Sequence, residues 1–169
     1  ALHPVNPRGG EILGRPAITS IREVDDVDLA VFVVPPHVVP GALEDAAAAG
    51  IRAAVVCAGG FAETGPEGAA LQDRVAAAAR DGGIRLLGPN TSGFMNPRDG
   101  ATANFMPAVC DLAPGSVSIV AQSGGVNLAI AFMLDRAGVG LRLGVGLGNA
   151  IDVDFPELVD FLAHDESTT

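Results

Sequence analysis

Gln122-Ser123-Gly124-Gly125 is the stretch of this chain best suited to chemistry. It follows Val117–Val120, a run rich in β-branched residues that predicts a buried strand. It precedes Leu128, Ala131, Phe132 and Leu134, which recur at helical spacing, with Gly138 placed to end the helix. A strand that turns through Ser-Gly-Gly into a helix leaves the first helical N–H groups without intrahelical partners. The helix dipole puts partial positive charge at the same place. Small residues let an anion approach the backbone. Ser123, Gly124 and Gly125 therefore predict a seat for phosphate or a developing oxyanion. The alternative is a tight βα turn whose glycines serve geometry alone.

Other residue types that could do chemistry are scattered. His37 follows Pro35-Pro36 at a strand end and reads as an exposed loop histidine. His164, beside Asp165 and Glu166, reads as a solvated residue at the end of a helix. Asp152 and Asp154 could suggest a metal or acid–base work, but two loop carboxylates fit a helix N-cap and its neighbour better. Glu63 is either a helix-entry acid or a site residue. Arg8 lies at the carboxyl end of an expected strand and reads as a ligand contact. Cys57 and Cys110 form no disulfide framework and no metal-ligand spacing, and Cys57 sits in an apolar run as an inert core thiol.

Composition limits the partners. The 169 residues allow one large domain or two small ones, and 49% hydrophobic residues supply a core. Aromatics make up only 4%, with no Trp or Tyr, so a base-stacking platform is not expected. The net charge of -10 argues against nucleic acid as the main partner. An anionic ligand must then be held by helix N-termini and a few arginines. No apolar run reaches the 18 or so residues of a membrane span, no signal peptide opens the chain, and a cytoplasmic location is expected. The opening Ala-Leu-His-Pro reads as the end of a strand whose earlier part is absent, so a fragment of a longer protein is expected.

Strand and helix patterns alternate. Residues 3–10 predict a loop after a strand, and Ile18–Val24 a short helix or turn. Leu29–Val34 is a continuous apolar run and predicts a strand buried on both faces. Pro40 opens a helix to about Ala49, terminated by Gly50. Ala53–Cys57 predicts a strand, Ala58-Gly59-Gly60 a break, and Pro66–Arg80 a helix. Arg85–Leu87 is a short strand leading into Gly88-Pro89-Asn90. Residues 95–115 lack periodicity and predict a connection between two units. Leu141–Leu147 is the second strand of the second unit, residues 149–154 a loop, and Phe155–Ala163 a helix with Pro156 in its first turn. This order predicts an α/β, doubly wound parallel sheet with its ligand beyond the carboxyl ends of the strands.

Five segments carry a resemblance: PVNPRGGEILGRPA (4–17), GGFAETGPEG (59–68), GIRLLGPNTSGFMNP (83–97), VAQSGGVNLA (120–129) and GLGNAIDVDFPELVDFLAHDEST (146–168). In this order they resemble the NDP-forming acyl-CoA synthetases, the superfamily of the succinyl-CoA synthetase α subunit, and most of all the ADP-forming acetyl-CoA synthetase type. The resemblance implies a Rossmann-like CoA-binding domain over residues 1–97 that lacks its first unit. A linker over 98–115 and the start of a flavodoxin-like ligase domain over 116–169 follow. It implies conversion of acyl-CoA, phosphate and NDP to acid, CoA and NTP through an acyl phosphate and a phosphohistidine. Asn6 and Arg8 would contact the CoA nucleotide, with Arg8 where Lys is common. Val34, Pro35, Pro36, Ala58, Gly59 and Gly60 would line the CoA channel. Asn90 would face the thioester end, and Gln122 to Gly125 would hold the phosphoryl group.

The departures are equally specific. None of His3, His37 or His164 matches the phosphorylated histidine, which is expected beyond Thr169. Leu128 stands about where the succinyl enzyme has a Tyr. Mg-nucleotide, ADP or ATP, would be bound only by parts outside this segment, in an ATP-grasp domain or subunit. The segment alone would be inactive, and a homo- or hetero-oligomer is implied. Two rival readings remain. One is a non-catalytic acyl-CoA-sensing domain fused to a protein acyltransferase. The other is a dinucleotide-binding Rossmann domain, against which stands the lack of GxGxxG after the first strand; Gly144, Gly146 and Gly148 form a strand-borne GxGxG.

Overall fold

The computed structural model describes residues 2–106 and 108–169. Strands β3 (Leu29–Phe32), β4 (Ala53–Val56) and β5 (Arg85–Leu87) form a parallel three-stranded sheet in that order. Helix α1 (Val39–Ala48) links β3 to β4, and α2 (Pro66–Asp81) links β4 to β5. Both helices begin with proline in the first turn, where a missing N–H costs nothing. Val39, Leu43 and Ala46 of α1 recur at helical spacing and are buried, as are Val75 and Ala79 of α2. They close a core with Phe61, Val56 and Leu86.

The second sheet is mixed. Strands β8 (Pro114–Ala121) and β9 (Leu141–Gly146) are parallel and joined by α3 (Gly124–Arg136). The other side of β9 pairs antiparallel with β6 (Gly93–Asn96), which pairs antiparallel with β7 (Ala101–Asn104). Helix α4 (Phe155–Ala163) follows, with Asp154 as its N-cap: its Oδ1 accepts the Glu157 N–H at 3.0 Å. Met95, Leu141, Ala131 and Ile119 form the second core. A third cluster, Val55, Leu87, Val145 and Leu147, joins residues of both sheets.

Two expectations need correction. The Leu29–Val34 run ends as a strand at Phe32 and is not buried on both faces. β3 is a sheet edge, and Val31 and Val33 remain 46% and 72% exposed. Residues 95–115 are not without structure: they contain most of the β6–β7 hairpin, whose pairing partner β9 lies some fifty residues on and leaves no local periodicity. Val5 makes only an isolated bridge to Ile18, and β1 (Glu11–Ile12) and β2 (Arg15–Pro16) form a two-residue-per-strand hairpin beside it. No helix among the described residues is long and apolar enough to cross a membrane.

Candidate functional site

Three corners at the carboxyl ends of strands come together through residues 88–92. Ala58 follows β4, and its carbonyl accepts the Asn90 N–H at 2.8 Å. Asn90 adopts a left-handed φ of 58°, which Asn tolerates better than most residues. Its Oδ1 lies so close to Gly59 that a Cβ there would stand 3.1 Å from it. Gly60 needs its glycine for two reasons. Its φ is 103°, and a Cβ would sit 3.0 Å from Pro36 Cγ. Val34, Pro36 and Ala58 are half-buried, while Pro35 and Gly59 are exposed. The structure thus brings Pro36, Gly59, Gly60 and Asn90 together.

The same loop reaches the second unit two residues later. The Thr91 hydroxyl donates to the Gly146 carbonyl and accepts the Gly93 N–H at 2.8 Å. Ser92, only 4% exposed, lies between Gly124 and Gly146. A Cβ at residue 124 would stand 2.6 Å from the Ser92 side chain, so the first residue of α3 must be glycine for the two to meet. Ser92 Oγ has no hydrogen-bond partner among the described residues. The Asn149 N–H donates to the Pro89 carbonyl at 2.9 Å, and the Ile151 N–H to the Gly88 carbonyl at 3.2 Å.

The Gln122–Gly125 corner itself is open. Gln122, Ser123 and Gly125 are exposed. The Ser123 hydroxyl accepts the Val126 N–H at 3.4 Å as N-cap, and Gln122 Nε2 donates to the Gly148 carbonyl at 3.3 Å. Among the described residues no partner meets the N–H groups of Gly124 and Gly125. Two amides without such a partner stand at the start of a thirteen-residue helix, where the dipole favours negative charge.

Polar side chains tie the corners laterally. Glu63 lies in the single turn Ala62–Thr64. Its Oε1 accepts the N–H groups of Gly60 at 2.6 Å and Phe61 at 3.1 Å, and its Oε2 accepts Asn149 Nδ2 at 2.7 Å. Burial tends to raise the Glu63 pKa, but these bonds, from Asn149 first and then the two amides, outweigh it and hold the group down at about 2. Asn149 Nδ2 also donates to Gln72 Oε1 at 2.8 Å.

The remaining predicted residues separate from this group. Asn6 is half-buried and its Oδ1 accepts the Arg8 N–H at 3.0 Å, an Asx turn that leaves the Arg8 side chain exposed. Among the described residues no hydrogen bond joins this turn to residues 88–92 or 122–125. His37 is exposed, and His164 is exposed with Nδ1 2.8 Å from the Asp160 carbonyl. Asp152 serves the backbone: its Oδ2 accepts the Leu86 N–H at 2.7 Å and pairs with Arg85 at 3.1 Å. Burial pushes the half-buried Cys57 thiol up, in keeping with an inert residue. Sequence reasoning missed Thr91, Ser92, Gly146, Gly148 and Asn149. Their one signal was two small polar residues directly after Gly-Pro-Asn.

Comparison with known proteins adds the following. Residues 1–97 match the family model described as a CoA binding domain, and residues 114–169 that of a succinyl-CoA ligase like flavodoxin domain. An ADP-forming acetate–CoA ligase (II) of Archaeoglobus fulgidus is 37% identical over 175 residues, which cover 99% of this chain and 25% of the relative. The α subunit of ADP-forming acetate–CoA ligase I of Pyrococcus furiosus is 36% identical over 172 residues, covering 99% and 37%. The chain therefore spans between a quarter and two fifths of these relatives. Two solved structures of dinucleotide-forming acetyl-coenzyme A synthetase 1 from Ca. Korarchaeum cryptofilum, one without ligand and one with phosphate and ADP, superpose with a TM-score of 0.89 at 33% identity. They are covered to 36% and 35% of their length, and this chain to 98%.

Proposed function

This chain belongs to the NDP-forming acyl-CoA synthetase family, as a CoA-binding domain followed by a succinyl-CoA-ligase-like flavodoxin domain, and on that premise we propose that it is the CoA-handling segment of an ADP-forming acid–CoA ligase. The observation that carries the proposal is the loop 88–92, which joins two small-residue corners along one strand-end edge. One corner suits a thioester and the other a phosphoryl group. Transfer between CoA and phosphate requires both groups to meet.

In this reading CoA lies along Val34, Pro35, Pro36, Ala58, Gly59 and Gly60, where short side chains let it approach backbone. Asn6 and Arg8 grip its nucleotide end, Arg8 through a guanidinium able to hold a phosphate in bidentate fashion. The Asn90 amide lies at the acyl end and polarises the thioester carbonyl. Phosphate sits at Gln122–Gly125 against the amides of Gly124 and Gly125, where attack on the acyl carbon yields the acyl phosphate and frees the CoA thiolate. The helix N-terminus stabilises the charge on both sides of that step. The phosphohistidine, the Mg-nucleotide and the ATP-grasp portion belong to other segments of a longer enzyme or to a partner subunit, in the cytoplasm.

Titration calorimetry with CoA tests this. Binding is expected, about tenfold weaker in Arg8→Ala through loss of one charged phosphate contact. NAD is not expected to compete. Failure of CoA to bind, or displacement by NAD, overturns the proposal.

A further inference from the structure

Glu63 stands apart from the residues named for binding, yet its carboxylate is heavily used at the strand-end edge. It accepts three N–H groups: those of Gly60 and Phe61 at one oxygen, and that of Asn149 Nδ2, from the second unit, at the other. The segment has few ways to hold its shape without it. Gly59 and Gly60 have no side chains, and Gly60 sits at a φ where glycine moves freely. Phe61, fully buried, pins one end of the segment in the core. Pro36 limits the other side sterically without bonding it. The carboxylate turns this loose segment into a fixed surface.

From this we propose that Glu63 is a positioning residue: by clasping Gly60, Phe61 and Asn149 it fixes the Gly59–Phe61 backbone against the second unit, and so sets the channel wall for CoA. This rests on the CoA reading above. A glutamate suits the task because both its oxygens accept, and three N–H groups must be met. Glutamine offers one acceptor oxygen and turns its own NH2 toward that of Asn149. Glu63→Gln should therefore keep the loop bonds and lose the bond across the units. Gln72, which shares the Asn149 amide, holds Asn149 in place from α2.

The test measures CoA affinity by calorimetry in the intact protein and in Glu63→Ala, Glu63→Gln, Asn149→Ala and the Glu63→Ala/Asn149→Ala double variant. Thermal unfolding is followed alongside. Glu63→Ala is expected to weaken CoA about tenfold, Glu63→Gln and Asn149→Ala by less, and the double variant no further than Glu63→Ala alone, as coupled neighbours do. A residue serving only stability would lower the unfolding midpoint and leave affinity unchanged. If Glu63→Ala does not fold, Glu63→Gln and Asn149→Ala carry the test. Unchanged affinity in those two, or strictly additive losses, overturns the proposal. Wild-type protein that fails to bind CoA removes the CoA reading and this inference with it. Wild-type binding with indifferent variants removes this inference alone.

Discussion

The Ala58–Phe61 and Gln122–Gly125 corners are made of similar residues and treat their backbone donors in opposite ways. At the first, the Gly60 and Phe61 amides are taken by the chain's own Glu63. At the second, the Gly124 and Gly125 amides have no protein partner among the described residues, and the Ser123 hydroxyl serves Val126 instead. The first corner is therefore a rigid wall with its charge satisfied. The second leaves its amides at the positive end of a helix dipole without an acceptor from the described residues. Glycine content alone does not separate the two functions. What separates them is whether a carboxylate lies within three residues of the turn.

The largest expected effect comes from breaking the seam on which both corners depend. Gly148 has a φ of 63°, and a Cβ there would overlap the Pro89 and Asn90 carbonyls. Gly148→Ala should cost about 3 kcal/mol, the sum of left-handed strain and overpacking. A denaturant midpoint equal to wild type would show the seam to be soft, and the contrast between rigid and open corners would lose its basis. A smaller effect sharpens the contrast directly. Ser123→Asp should keep the helix cap, alter stability by no more than about 0.5 kcal/mol, and place negative charge beside those amides. Phosphate binding measured by calorimetry should vanish. Retained binding would mean that the second corner is not an anion seat.

The smallest effect is a pH dependence at the first corner. Glu63 is held at about 2, below its ordinary 4.5, so its bonds favour the folded state above pH 4.5. That contribution disappears as pH falls from 4.5 through 2. Thermal midpoints of wild type and Glu63→Gln should therefore differ at neutral pH and converge in acid. A gap that does not shrink between pH 4.5 and pH 2 would refute the role given to the carboxylate. The group is exposed, so solvent keeps the effect modest.

Much of the fold was legible because its punctuation is explicit. Pro40, Pro66 and Pro156 lie in the first turns of α1, α2 and α4, and Gly50, Gly83 and Gly138 take the left-handed conformations that follow helix ends. The hairpin was not legible. Ala101–Asn104 has weak strand propensity, and its partner chain segments are remote. Leu29–Val34 misled because an apolar run reports low polarity and not coverage; among the described residues nothing pairs with the outer side of β3. At the site, Gly88-Pro89-Asn90 and the Gln122–Gly125 turn could be found as motifs. That Thr91 meets Gly146 and Ser92 meets Gly124 could not, because these contacts span more than thirty residues and leave no spacing rule behind.

Only five residues separate the end of β5 in the first sheet from the start of β6, which hydrogen-bonds in the second. The molecule is thus stitched by a borrowed element. A protease nick between Asn96 and Ala101 would spare every helix, yet weaken the hold on one flank of β9. Opening either half exposes backbone of the other, so the two units are expected to exchange their amide protons as one cooperative block.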